Sequence, residues 1–93
     1  MTTAEGTVTV EHEKGLHARP ASLFVQTASE FESEIEVSTP GGEGRNAKSS
    51  IGVMSLGVEP GDRIEIVADG PDAERAVERL VSLVERDFPK PEA

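Results

Sequence analysis

Gly15-Leu16-His17-Ala18-Arg19-Pro20-Ala21 joins a glycine-opened turn to the start of a helix. Glycine lets the chain bend sharply, and proline, which has no N–H to lose, suits a helix's first turn. Upstream, Thr7-Val8-Thr9-Val10 alternates polar and apolar, as a half-buried strand does. Downstream, Ala21, Phe24, Val25, Ala28 and Phe31 recur at spacings of three and four, which predicts one apolar helix face from Ala21 to Phe31. A strand therefore passes through a turn carrying an exposed histidine into a helix N-terminus. Such a terminus presents unpaired N–H groups and the positive end of the helix dipole, so it attracts anions such as phosphate. Histidine can also act as a nucleophile and hold a covalent intermediate. Together these features point to a histidine that accepts a phosphoryl group.

The rest of the chain continues the alternation of strand and helix. Glu34-Ile35-Glu36-Val37-Ser38 reads as a second strand, and the turn signal Pro40-Gly41-Gly42 predicts a hairpin to a short third strand over Gly44 to Ala47. Ser49 to Leu56 reads as a short helix capped by Ser49 or Ser50 and stopped by Gly57, with Ile51, Met54 and Ser55 or Leu56 facing inward. After the turn Glu59-Pro60-Gly61-Asp62, the residues Ile64, Ile66 and Ala68 line one side of a fourth strand. Gly70-Pro71-Asp72 opens a last helix with an apolar stripe of Ala73, Ala76, Val77, Leu80, Val84 and Phe88, ended by Pro89 and Pro91. The order βαββαβα predicts an α+β fold with helices on one face of a sheet. Its other face, bearing Thr7, Thr9, Glu34, Glu36, Arg63 and Glu65, is expected to meet solvent. Residues 1–93 form a single domain in this reading, with 1–5 and 89–93 frayed.

The chain has 93 residues, no cysteine, and nine Lys and Arg against 18 Asp and Glu, a net charge of −9. Nucleic acid and anionic lipid both require a basic footprint, so neither is an expected partner. No apolar run approaches the roughly 20 residues that cross a bilayer, and a cytoplasmic protein is expected. Heavy acid with little lysine also suits a high-salt cytoplasm, where screening blunts self-repulsion. The acid is unevenly spread: Lys14 to Ser29 and Gly44 to Val58 contain none, and each window carries two cations, Lys14 and Arg19 in one and Arg45 and Lys48 in the other. Such windows suit surfaces that meet phosphate or an acidic partner. His12-Glu13 with His17 does not reproduce the zinc-binding spacing, since five residues rather than four separate the histidines. No metal or cofactor is expected, and His12 is expected to have no special role.

These residues resemble the histidine-containing phosphocarrier (HPr) family of the phosphoenolpyruvate-dependent sugar phosphotransferase system. One matching motif is Gly15 to Ala21; the other is Lys48-Ser49 followed by Gly52-Val53-Met54-Ser55-Leu56-Gly57-Val58, and element order and length match as well. The resemblance implies an open-faced sandwich: a four-stranded antiparallel sheet with three helices on one face. It implies that His17 takes a phosphoryl group on Nδ1 from phosphorylated enzyme I, itself charged by phosphoenolpyruvate, and passes it to the A domain of a sugar permease. The carrier would be a covalent relay rather than an enzyme, with the Ala18 backbone N–H and the Arg19 guanidinium stabilising the phosphate. Ser49 matches a serine that a regulatory kinase phosphorylates in some members. Ser50 stands where members commonly carry a larger apolar residue. Leu16, Pro20, Arg45, Lys48, Ile51, Met54 and Leu56 are candidate docking residues, and one exposed site favours a monomer. Two other readings are a regulatory protein of the same fold acting through Ser49, and a small-ligand binding module on a similar scaffold.

Overall fold

A computed structural model describes residues 2–89 of the chain. The elements are β1 (Thr2–Thr9), α1 (Ala18–Ala28), β2 (Glu34–Ser38), β3 (Arg45–Asn46), α2 (Ser50–Met54), β4 (Arg63–Gly70) and α3 (Ala73–Glu85). The sheet order is β1-β4-β2-β3 and every neighbouring pair is antiparallel. This is the expected α+β open-faced sandwich.

The strand alternation dictates the layering. Val8 pairs with Ile64, and Ile66 with Val37, so these apolar side chains share the inner face. There they pack with Phe24 of α1, Val53 of α2 and Leu80 of α3 in one cluster whose members are fully or nearly fully buried. The outer face bears Thr7, Thr9, Arg63, Glu65, Glu34 and Glu36, all exposed, as the alternation predicts. Glu34 stands directly opposite Asp69 there, two like charges in one cross-strand pair.

Three boundaries and one inward face differ from the sequence reading. Thr2 to Glu5 is not frayed: these residues pair with Val67 to Gly70 and extend β1 to eight residues. Helix α1 starts at Ala18 and stops at Ala28, so Phe31 is buried from the turn that follows it. In α2 the inward residue is Val53, whereas Ile51 is 78% exposed and Met54 39%. Helix α3 ends at Glu85, before either proline. Phe88 N–H donates to the Leu83 carbonyl (2.9 Å) and Asp87 N–H to that of Val84 (3.0 Å), with left-handed torsions at both donors. That paired pattern is a Schellman cap, and it places Phe88 in the core. Pro91 lies outside the described residues.

Asp72 precedes α3 without capping it. Its carboxylate accepts the Ser33 hydroxyl (2.6 Å) and the backbone N–H groups of Ser33 and Glu32 (both 3.0 Å), tying the start of α3 to the entrance of β2. Those donors, the Ser33 hydroxyl foremost, stabilise the ionised form and lower the Asp72 pKa from 3.8 to about 2.

Candidate functional site

The turn before α1 is built from the backbone. Gly15 has φ +64, and its N–H donates to the His12 carbonyl (2.8 Å). A Cβ at Gly15 would stand 2.2 Å from the Val58 carbonyl oxygen. Only glycine therefore allows the turn to lie against the segment between α2 and β4. The next residue completes the contact, since Leu16 N–H donates to the same oxygen (3.1 Å) and its side chain is fully buried.

His17 follows as the N-cap of α1, in extended conformation (φ −129, ψ 164), and its side chain makes no capping hydrogen bond. The imidazole is half-exposed and unused by the fold. Ala18 then adopts φ 51, a left-handed torsion that costs an L-residue about 1–2 kcal/mol. Strain of this kind collects at functional positions, where the surrounding structure enforces it. The Ala18 and Arg19 N–H groups begin a helix and have no intrahelical acceptor. No acid lies in that first turn, and among the described residues Arg19 pairs with no carboxylate. A half-exposed imidazole thus stands beside two free N–H donors and an unpaired guanidinium. An approaching phosphoryl group could be attacked at phosphorus and held at its oxygens without any metal ligand.

The other candidates divide. Ile51 and Met54 project from α2 into solvent and Leu56 is half-buried, so α2 keeps an exposed apolar patch. Two of the docking candidates, Leu16 and Pro20, are buried and cannot meet a partner. The Lys48 ammonium donates to the Phe31 carbonyl (2.6 Å), beyond the far end of α1 from His17, and Arg45 lies 4.0 Å from Glu43 on an exposed strand. Eleven helical residues rise about 16 Å, so the second pair of cations does not join the His17 site. Ser49 is the N-cap of α2, its hydroxyl oxygen accepting Gly52 N–H at 3.1 Å. Among the described residues no three His, Asp or Glu side chains gather as a metal site.

Sequence reasoning overlooked two participants. The Val58 carbonyl carries no side-chain signal that could have marked it. His12, expected to be idle, is engaged twice. Its Nδ1 accepts Lys14 N–H (3.1 Å), and its ring meets Phe88 edge-on with centroids 5.9 Å apart.

Comparison with known proteins agrees with this geometry. The family profile described as "PTS HPr component phosphorylation site" matches residues 4–86. The phosphocarrier protein HPr of Mycoplasma genitalium is 44% identical over 73 residues, 78% of this chain and 83% of that protein. The HPr-like protein Crh of Halalkalibacterium halodurans is 42% identical over 83 residues, 89% of this chain and 98% of that one. A crystal structure of HPr from Thermoanaerobacter tengcongensis superposes with a TM-score of 0.89 at 46% identity, covering 96% of this chain and 99% of that one. With an unengaged histidine at the N-terminus of α1 and a profile match over nearly its whole length, the chain belongs to the HPr phosphocarrier family of the phosphotransferase system.

Proposed function

We propose that this protein is a covalent relay that takes a phosphoryl group onto His17 from phosphorylated enzyme I and passes it to the A domain of a sugar permease. The observation that carries the reading is the free imidazole at the N-cap of α1, beside the unpaired donors of Ala18 and Arg19. The Nδ1 lone pair of neutral His17 attacks phosphorus. The donor's bond to phosphorus breaks as the new N–P bond forms, and the donor keeps the departing electron pair. Charge spread over the phosphoryl oxygens is met by the Ala18 and Arg19 N–H groups and the guanidinium. A nucleophile on the permease domain then attacks the same phosphorus and regenerates neutral His17. Both partners must reach one atom, which fits a half-exposed ring better than a closed pocket. The exposed Ile51 and Met54 and the acid-free stretch of α1 are the docking face in this reading, on a cytoplasmic monomer.

A second reading rests on the placement of Ser49. Phosphorylation there by a serine kinase would add about two negative charges one residue from Ser50 and two from Ile51. An acidic partner would then dock less well, and the protein would act as a regulator.

Intact-protein mass separates the two. After mixing with phosphoenolpyruvate and enzyme I, the wild type should gain one phosphate, about 80 Da, and His17→Ala should gain nothing. The label should be lost in acid and kept in alkali. An acid-stable label, or a gain in His17→Ala, would refute the relay through His17.

A further inference from the structure

The turn that presents His17 is held by another histidine. His12 uses its backbone carbonyl to accept Gly15 N–H (2.8 Å) and its ring Nδ1 to accept Lys14 N–H (3.1 Å). A side-chain acceptor bonded to the N–H two residues on is the arrangement by which Asn and Asp build an Asx turn. Here an imidazole performs it, its ring meeting Phe88 edge-on. Because Nδ1 accepts, the neutral ring carries its proton on Nε2. Val10, two residues earlier, is fixed too, since its N–H donates to the Asp62 carbonyl (2.8 Å) and its carbonyl accepts Gly61 N–H (2.7 Å). Lys14, Gly15 and Leu16 are therefore clamped between His12 and Val58, and His17 is the first residue beyond the clamp.

We infer that His12 is a positioning residue for phosphoryl transfer at His17, acting only while its Nδ1 is unprotonated. This rests on the relay reading of His17. A proton on Nδ1 turns the acceptor into a donor facing the Lys14 N–H, so the contact becomes repulsive and the turn loosens. Protonation at Nδ1 therefore weakens the relay by removing the acceptor for the Lys14 N–H. The charged residues nearest it in the chain are Glu11, Glu13 and Lys14; Asp87 adjoins Phe88, and the Asp62 backbone is bonded to Val10. Among the described residues the ring pairs with none of these carboxylates.

Two substitutions separate positioning from folding. His12→Asn keeps an acceptor for the Lys14 N–H but cannot titrate. His12→Phe keeps a ring against Phe88 but has no acceptor. The Lys14 amide is followed by NMR from pH 5 to 8, by shift and hydrogen exchange, alongside the rate of transfer from phosphorylated enzyme I. In the wild type, Lys14 exchange should quicken about fivefold, the weight of one ordinary hydrogen bond, beyond the intrinsic pH effect and with the midpoint of the His12 ring signals. His12→Phe, assayed well below its transition, should transfer about fivefold more slowly at pH 8 and melt no more than about 8 °C below the wild type, the weight of the same bond. His12→Asn should restore the rate and lack the part of the acid limb that follows His12, leaving the part that follows His17. A Lys14 amide indifferent to the His12 titration, or a His12→Phe rate equal to wild type at pH 8, overturns the proposal. If wild type transfers nothing at any pH, the relay reading falls, and the Lys14 amide alone decides whether His12 holds the turn.

Discussion

Replacing Gly15 with alanine probes the contact that sets the His17 turn, and Gly57 supplies its control. Both glycines have nearly the same torsion, φ +64 and +66, but a Cβ at Gly57 would meet nothing within 4 Å. Gly57→Ala therefore costs only the left-handed strain, about 1–2 kcal/mol, partly offset by the stiffer unfolded chain, roughly 0.4–1 kcal/mol. A Cβ at Gly15 would stand 2.2 Å from the Val58 oxygen and 3.0 Å from the Glu59 Cα, both backbone atoms that cannot rotate aside. Relief means separating the two segments by about 1 Å. The Leu16 N–H bond to Val58 is then lost, about 1 kcal/mol, and the buried Leu16 and Val58 side chains shift, about 1–3 kcal/mol. Gly15→Ala should thus be about 3 kcal/mol less stable than Gly57→Ala. At 4–8 °C per kcal/mol for a domain of this size, that is roughly 12–24 °C in Tm. Thermal unfolding followed by circular dichroism gives the difference directly. Transfer measured well below both transitions should also be slower in Gly15→Ala, because the turn carrying His17 has moved. If the two variants melt within about 5 °C of each other, the Val58 contact does not hold the turn and the reasoning fails.

Three further outcomes are expected. Arg19→Glu should slow transfer at His17 by about tenfold or more, the loss of one charge-assisted hydrogen bond, and leave the melting temperature within a few degrees; an undiminished rate removes Arg19 from the mechanism. The Asp72 pKa is lowered by folding from 3.8 to about 2, so its stabilisation is full above 3.8 and fades as pH falls toward 2. Asp72→Asn should melt lower at neutral pH and lose less between pH 4 and 2, and parallel acid profiles would contradict that. Asp69→Asn removes the like charge opposite Glu34 and should stabilise by about 0.2–1 kcal/mol in dilute buffer. The gain should vanish near 1 M salt, where the Debye length is roughly 3 Å; denaturant midpoints at the two salt concentrations decide it.

The long elements were legible because their periods are long enough to count. Ile64, Ile66 and Ala68 marked β4, and Ala73 to Val84 marked α3, by alternation and helical spacing that the sheet and core then reproduce. The failures fall where the signal is short or comes from elsewhere. A five-residue helix barely completes one turn, so Ile51 and Met54 could not be told from Val53 as its inward side. Thr2-Thr3-Ala4-Glu5 has no apolar rhythm of its own, and pairing with β4 alone makes it a strand. Leu16 looked like a docking residue because it neighbours His17, but the Gly15 turn drives it inward. The left-handed Ala18 carries no mark in an alanine side chain, so the apolar face read from Ala21 could not show that α1 begins at Ala18. His17 and Arg19 could be singled out as candidates because glycine, histidine, arginine and proline each constrain the chain or its chemistry differently. His12 was not, since its bond to Lys14 exists only once the turn is closed.

A net charge of −9 opposes a site for a phosphoryl dianion, but distance weakens the share carried by the open sheet face. Glu5, Glu34, Glu36, Glu65 and Asp69 lie on the open sheet face, while α1 lies on the other. The thinnest dimension of the molecule is 21 Å. Unit charges about 20 Å apart in water interact by roughly 0.2 kcal/mol, so five carboxylates oppose one approaching charge by about 1 kcal/mol before screening. With a Debye length of about 10 Å at 0.1 M, little more than a tenth of that survives. A guanidinium at about 4 Å contributes between about 1 kcal/mol in bulk water and 4 kcal/mol at the lower effective dielectric of a protein surface. Arg19 and the first-turn N–H groups therefore outweigh the distant acid. One carboxylate inside the Lys14 to Ser29 window would act at the same short range as Arg19, so the position of the acid matters more to this site than its total.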